Sequence, residues 1–196
     1  MATMMIQLPA GPFTTIVADP PWAYRDKVHA ARVRRVTEIG YGAEKIRGRR
    51  GAEGYYPVMS LEAISALPVK GIATENAHLY LWTTNAFIEP AHQIARVWGF
   101  EPRTILTWVK PGIGMGHYFR NNTEHVVFAV RGRLPVLRRN QPTAFHAPKS
   151  KQHSRKPDEF YTLVESMSPG PYLELFARRS WDGWTSWGNE IREPVA

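Results

Sequence analysis

Short apolar runs of strand character recur along this chain, and helix-forming segments separate them. The runs are Thr14–Ala18 (TTIVA), His78–Trp82 (HLYLW), Thr104–Val109 (TILTWV), Glu124–Val130 (EHVVFAV) and Tyr172–Phe176 (YLELF), with Trp184–Trp187 as a further short strand. Ser60 is placed to cap a helix over Leu61–Leu67 that Pro68 ends. Glu89-Pro90 opens a second helix, which runs to Trp98 and stops at Gly99. Pro157-Asp158-Glu159 starts a third, with acidic residues at the positive end of its dipole and an apolar stripe of Phe160, Leu163, Val164 and Met167. Strands alternating with helices predict an α/β fold with a largely parallel sheet, whose ligand sites lie at the strand C-terminal ends. At 196 residues, a single domain over 1–196 is expected.

Several chemistries are excluded. The chain has no cysteine, so disulfides, zinc–thiolate sites and thiol nucleophiles are absent. Its seven histidines show no metal-ligand spacing, and no metal site is expected. The run Gly112–Gly116 (GIGMG) has the wrong spacing for a dinucleotide fingerprint. There is no P-loop and no Gly-x-Ser-x-Gly. The N-terminus lacks a basic-then-apolar leader and no run is long enough to span a membrane, so a cytoplasmic location with no membrane association is the expectation.

The charge is uneven. From Arg25 to Arg50 there are nine basic and three acidic residues, and from Arg131 to Lys156 eight basic and none acidic. The net charge is +8, so everything else sums to −6. Two basic segments on an acidic body are the footprint of a phosphate-backbone binder. The first falls in a polar, glycine-containing stretch that reads as an insertion over 24–55; the second reads as a basic loop over 131–156.

Asp19-Pro20-Pro21-Trp22 follows the first strand directly, where an α/β fold places its chemistry. Two prolines fix two φ angles and stiffen the loop. The aspartate supplies a fixed acceptor and the tryptophan a flat face. Together they suit a planar heterocycle with an exocyclic amine: the base stacks on Trp22, while Asp19 and neighbouring backbone carbonyls accept the amine's N–H bonds. The exocyclic nitrogen of adenine is a poor nucleophile, because its lone pair is delocalised. Hydrogen bonds to a carboxylate and a carbonyl favour a tetrahedral nitrogen, which can then attack an electrophilic methyl in line.

These residues resemble the signature of the mRNA adenosine methyltransferase seventy-kilodalton-subunit (MT-A) family. Further motifs follow in the family's order: Tyr56 before Met59-Ser60, Leu81-Trp82, Trp98-Gly99-Phe100, Trp108-Val109-Lys110 and Glu124-His125. Then come Ser154 to Glu159, Ser168-Pro169-Gly170, Glu174 to Arg178 and Trp187 to Glu190. The match runs from about Thr14 to Ile191 and looks most like the compact bacterial and phage branch. It implies a Rossmann-like S-adenosylmethionine-dependent methyltransferase fold in permuted order, with the catalytic strand first and the cofactor strand, Tyr172–Phe176, near the end. It implies catalysis by Asp19, Pro20, Pro21 and Trp22. It implies S-adenosylmethionine held by Asp19, Lys156, Glu174, Phe176, Arg178, Asn189 and Glu190.

The leading expectation is methyl transfer to the N6 amine of adenine in DNA. Tyr24, Tyr56 and Lys110 would then line the flipped-base pocket. Arg32, Arg34, Arg35, Arg47, Arg49, Arg50, Arg138 and Arg139 would hold the nucleic-acid backbone. The alternatives are the same reaction on RNA, or a non-catalytic nucleic-acid-binding partner with this fold. A homo- or hetero-oligomer is compatible with either. Such partners lose the Asp-Pro-Pro-Trp motif, which is intact here.

Overall fold

A computed structural model describes residues 7–23, 58–114, 118–150, 155–189 and 191. Seven strands form one sheet, in the spatial order β5-β3-β4-β2-β1-β6-β7. They are β1 (Phe13–Ala18), β2 (Ala73–Thr83), β3 (Glu101–Val109), β4 (Thr123–Arg131), β5 (Ala144–His146), β6 (Tyr172–Leu175) and β7 (Trp184–Trp187). The helices are α1 (Leu61–Ser65), α2 (Val69–Ile72), α3 (Ile88–Val97) and α4 (Asp158–Met167), with a 3-10 turn at Asn85–Phe87. β1 pairs in parallel with β2 and β6, β6 with β7, and β3 with β5, whereas β4 is antiparallel to both β2 and β3. The sheet is thus largely parallel, as expected, with β4 reversed. Among the described residues no helix is long and apolar enough to cross a membrane.

Alternation along the central strands separates two cores. Ile16, Ala18, Leu79 and Leu81 pack under α1 and α3 with Ile64, Ile94 and Trp98. Val17, Tyr80 and Trp82 pack under α4 with Phe160, Tyr161 and Val164. Strands buried on both faces are continuous apolar runs, which is why the sequence shows them so plainly. Aromatic contacts knit the second core, including Trp82 on Phe160 at 4.6 Å and on Trp108 at 6.1 Å.

Helix ends follow the local signals. Ser60 Oγ accepts from Ala63 N at 3.2 Å, but α1 stops at Ser65, short of the expected Leu67. Gly99 (φ 87°) ends the chain segment after α3 in a left-handed turn and donates to Arg96 O. Two expectations are corrected. The strand after α4 ends at Leu175 rather than Phe176, because Phe176 turns to φ 64°. The segment 131–156 is not wholly loop, since Ala144–His146 adds as β5 beside Thr107–Val109, where Phe145 is buried.

A buried polar chain ties the second basic segment to the core. His78 Nδ1 and Tyr80 Oη each lie 2.7 Å from Ser168 Oγ, and His78 Nε2 lies 2.9 Å from Leu134 O. Leu137 N donates to Met167 O, at the last residue of α4. The chain therefore crosses the far end of α4 just before Arg138. Phe160 is fully buried at the centre of the second core. Phe160→Ala is expected to cost about 3–5 kcal/mol in stability, read as a shift of the urea midpoint at unchanged slope.

Candidate active site

The C-terminal rim of the parallel strands gathers the charged side chains. Asp19 leaves β1 and its N–H donates to Leu175 O at 3.3 Å, the neighbouring strand's last residue. The loop beyond it is clamped on both sides. Met59 N donates to Pro21 O at 2.9 Å, and Trp22 Nε1 donates to Trp82 O at 3.1 Å. The Trp22 indole stacks on Phe87 at 5.2 Å and is 5% exposed. This corrects the expected role of Trp22 as an open platform for the base. One face is covered by Phe87 and the ring sits in the core, so Trp22 anchors the loop that presents Asp19.

Lys156, two residues before α4, points its ammonium at two carboxylates. Nζ lies 2.8 Å from Asp19 Oδ2 and 3.2 Å from Glu124 Oε2, and 4.9 Å from the centre of the Trp82 ring. The other oxygen of Glu124 pairs with Lys110, whose Nζ lies 5.0 Å from the Trp108 ring centre. The charges alternate: Asp19, Lys156, Glu124, Lys110. Reversal of β4 makes this possible, because its first residues lie at the same rim as the last residues of β1 and β3.

Burial of Glu124 and Lys156 opposes their ionisation, and pairing overcomes it. Burial would lift Glu124, but Lys156 and Lys110 bring its carboxyl down to about 2. Burial would lower Lys156, yet Asp19 and Glu124 hold it above the usual lysine range. Three of the four charges thus act as one fixed unit around Lys156.

Glu174, inside β6, faces the same cleft. Its Oε1 accepts from Tyr161 Oη at 2.7 Å, while its buried Oε2 has no hydrogen-bond partner among the described residues. Burial raises its carboxyl to about 7; the Tyr161 bond opposes the rise and the Asp19 charge adds to it. Phe176, Arg178 and Arg179 complete the lining with Asp19, Arg155, Lys156 and Tyr161. Arg179 pairs with Asp158 and lies 5.1 Å and 4.7 Å from the Tyr161 and Trp181 ring centres.

The structure therefore brings together Asp19, Lys156, Glu174, Phe176 and Arg178 from the expected set. Lys110 adjoins them through Glu124. Asn189 is exposed, two residues past β7. Tyr24, Tyr56, Glu190, Arg32, Arg34, Arg35, Arg47, Arg49 and Arg50 lie outside the described residues, as does the whole insertion 24–55. Arg138 and Arg139 are exposed, but they follow Leu137 at the far end of the ten-residue α4, so they leave the core about 15 Å from the rim. Sequence reasoning gave no role to Glu124, Tyr161 or Arg179. Glu124 carried a signal: a lone carboxylate near the head of an apolar strand, with Lys110 one residue past the strand before it.

The cleft fits an amino-acid-bearing cofactor. Lys156 and Asp19, 2.8 Å apart, match the carboxylate and ammonium of such a group, and the buried Glu174 Oε2 is a polar atom with no partner among the described residues, suited to a hydroxyl. The MT-A70 family profile matches residues 13–190. The chain is 31% identical over 189 residues to the Type II methyltransferase M.MunI of Mycoplasma sp, covering 94% of this chain and 80% of that protein. It is 29% identical to a probable N(6)-adenosine-methyltransferase MT-A70-like protein of Oryza sativa and 24% identical to the N(6)-adenosine-methyltransferase catalytic subunit METTL3 of Homo sapiens. Each of these alignments covers 92% of this chain but only 23% and 28% of the relative, so the chain spans about a quarter of the plant and human proteins. The chain belongs to the MT-A70 family of adenine N6-methyltransferases. Methyltransferases of this family generally use S-adenosylmethionine.

Two outcomes follow from these charges. Unfolded Glu174 ionises near 4.5, whereas the folded carboxyl keeps its proton to about 7. The folded state binds more protons in that window, so this group's contribution makes stability fall as pH rises through it. Glu174→Gln is expected to flatten the fall, measured by denaturant midpoints at about pH 5 and about pH 7.5. Lys156→Met leaves Asp19 without its cation and Glu124 with Lys110 alone, and is expected to cost about 3–5 kcal/mol near neutral pH, measured by urea denaturation.

Proposed function

We propose that this chain transfers the methyl group of S-adenosylmethionine to the N6 amine of adenine in DNA. The observation that carries the proposal is the Asp19 carboxylate, held 2.8 Å from a buried ammonium on a doubly clamped Pro-Pro loop. When bound, the cofactor supplies an electrophilic methyl. Lys156 and Asp19 bind its amino-acid end, joined by Arg178. Glu174 accepts a hydroxyl with its free oxygen, and Phe176 closes the cleft floor. Asn189 and Glu190 are assigned to the ribose.

Asp19 accepts an N–H of the target amine and orients the nitrogen lone pair toward the cleft. Pro20 O and Pro21 O each accept one backbone N–H already and keep a second lone pair for the same amine. A stiff loop costs no reorganisation when charge develops, which is the source of the rate gain. A duplex hides this amine, so the base must leave the stack or already be single-stranded. Lys110, Tyr24 and Tyr56 are assigned to the pocket that receives it. DNA is favoured over RNA because the Mycoplasma methyltransferase matches over most of its length, whereas the N(6)-adenosine enzymes match over about a quarter. The arginines Arg32, Arg34, Arg35, Arg47, Arg49 and Arg50 are assigned to the phosphate backbone, with Arg138 and Arg139 engaging only a strand that extends past the rim.

Labelled S-adenosylmethionine with matched single- and double-stranded DNA and RNA, followed by nucleoside mass spectrometry, tests the reaction. N6-methyladenine is expected in DNA, with Asp19→Ala slower by at least about 10²-fold at saturating cofactor, its cofactor affinity weakened and its fold retained. A near-normal rate for Asp19→Ala would overturn the mechanism, and product in RNA alone would move the substrate. Neutralising the six arginines from Arg32 to Arg50 is expected to flatten the salt dependence of binding by up to about five in log–log slope. An unchanged slope would reassign them.

A further inference from the structure

We infer that Tyr118 and Phe119 form a wedge that stacks on nucleobases beside the target adenine and fills the gap left when that base leaves the helix. This rests on the nucleic-acid reading above. The two residues lie in the connection between β3 and β4. Its arms continue the pairing beyond the sheet, with Lys110 N donating to Asn122 O at 2.7 Å and Gly114 N to Asn121 O at 2.8 Å. A Cβ on Gly114 would lie 2.5 Å from Asn121 O, so only glycine allows the arms to approach this closely. Asn85 Oδ1 lies 2.6 Å from His125 Nε2, and His125 Nδ1 lies 3.1 Å from Thr107 Oγ1. The root is therefore fastened to the sheet and to the turn whose Phe87 packs on Trp22.

The tip is the opposite. Tyr118 is 98% exposed and Phe119 86%. Most other large aromatics described here are buried, and exposed rings held out on a fastened hairpin mark a binding surface. Three observations favour nucleobases as the occupant. The arms leave the sheet beside Lys110 and Glu124, the charged chain that holds Asp19, so the hairpin springs from the rim assigned to the base. The segment 110–122 contains no carboxylate, and exposed Arg120 adjoins Phe119, which suits a polyanion. On their C-terminal side the rings are followed by polar Arg120 and Asn121, and Ile113 on the other arm, 75% exposed, adds apolar surface that a base can also cover. Aromatic faces stack on any base, and side chains inserted at an opened step offset the unstacking.

The full chain and its Tyr118→Ala, Phe119→Ala and double variants are titrated with a mixed-sequence single strand carrying 2-aminopurine. They are also assayed on duplexes holding the methylated site, with the target either paired or opposite an abasic position. The double variant is expected to lose the fluorescence quenching and to bind at least about tenfold more weakly. It should show a raised KM on the paired duplex and regain most of its turnover on the unpaired one. Unchanged quenching and KM would overturn the wedge. So would equal losses on both duplexes with a changed mass by light scattering, which would make the tip a contact between copies of the chain. A wild-type protein that quenches the probe but methylates no substrate would remove the reaction and keep the wedge; one that neither binds nor quenches would remove both.

Discussion

An ammonium buried between two carboxylates organises the catalytic rim. Asp19 and Glu124 hold Lys156 charged against its burial, and Lys156, with Lys110, does the same for Glu124. Lys110 closes the chain on the outer side. Such a unit is expensive to desolvate and strongly resists distortion once formed. It therefore holds the Asp19 carboxylate in one place, which a reaction on a weakly nucleophilic amine requires.

The topology serves that unit. Four elements deliver its members: the end of β1, the end of β3, the start of β4 and the approach to α4. If β4 ran parallel to its neighbours, Glu124 would open at the opposite edge of the sheet, and Lys156 would face one carboxylate. The hairpin that reverses the chain between β3 and β4 also carries Tyr118 and Phe119 to this rim. The same reversal thus completes the charge chain and positions the exposed aromatics.

The Pro-Pro loop shows how rigidity is built from both ends. Proline restricts the backbone from within. Trp22 fixes it from outside by stacking on Phe87 and donating to Trp82 O. The indole looked like a platform for a base when its neighbours were unknown, since a tryptophan beside an acceptor is consistent with either role. Its burial decides for the anchor. Glu174 makes a related point. A glutamate within an apolar strand signals a site, but only its burial, which outweighs the Tyr161 hydrogen bond, shows a carboxyl held near the point of ionisation.

Local signals alone determined much of this protein. Strand runs buried on both faces, helix caps at Ser60 and Gly99, and the proline pair after β1 all act over a few residues, so they are visible in the order of letters. So is the collinear set of motifs from Asp19 to Asn189 that places the chain in its family. What only the tertiary structure decided depends on distance across the sheet: the reversal of β4, the addition of β5 inside a basic segment, and the meeting of Glu124 with Lys156. Their partners are separated by tens of residues in the chain and by about 3 Å in space. No periodicity or propensity encodes such a contact, because it is set by how whole strands stack and not by what either residue's neighbours prefer.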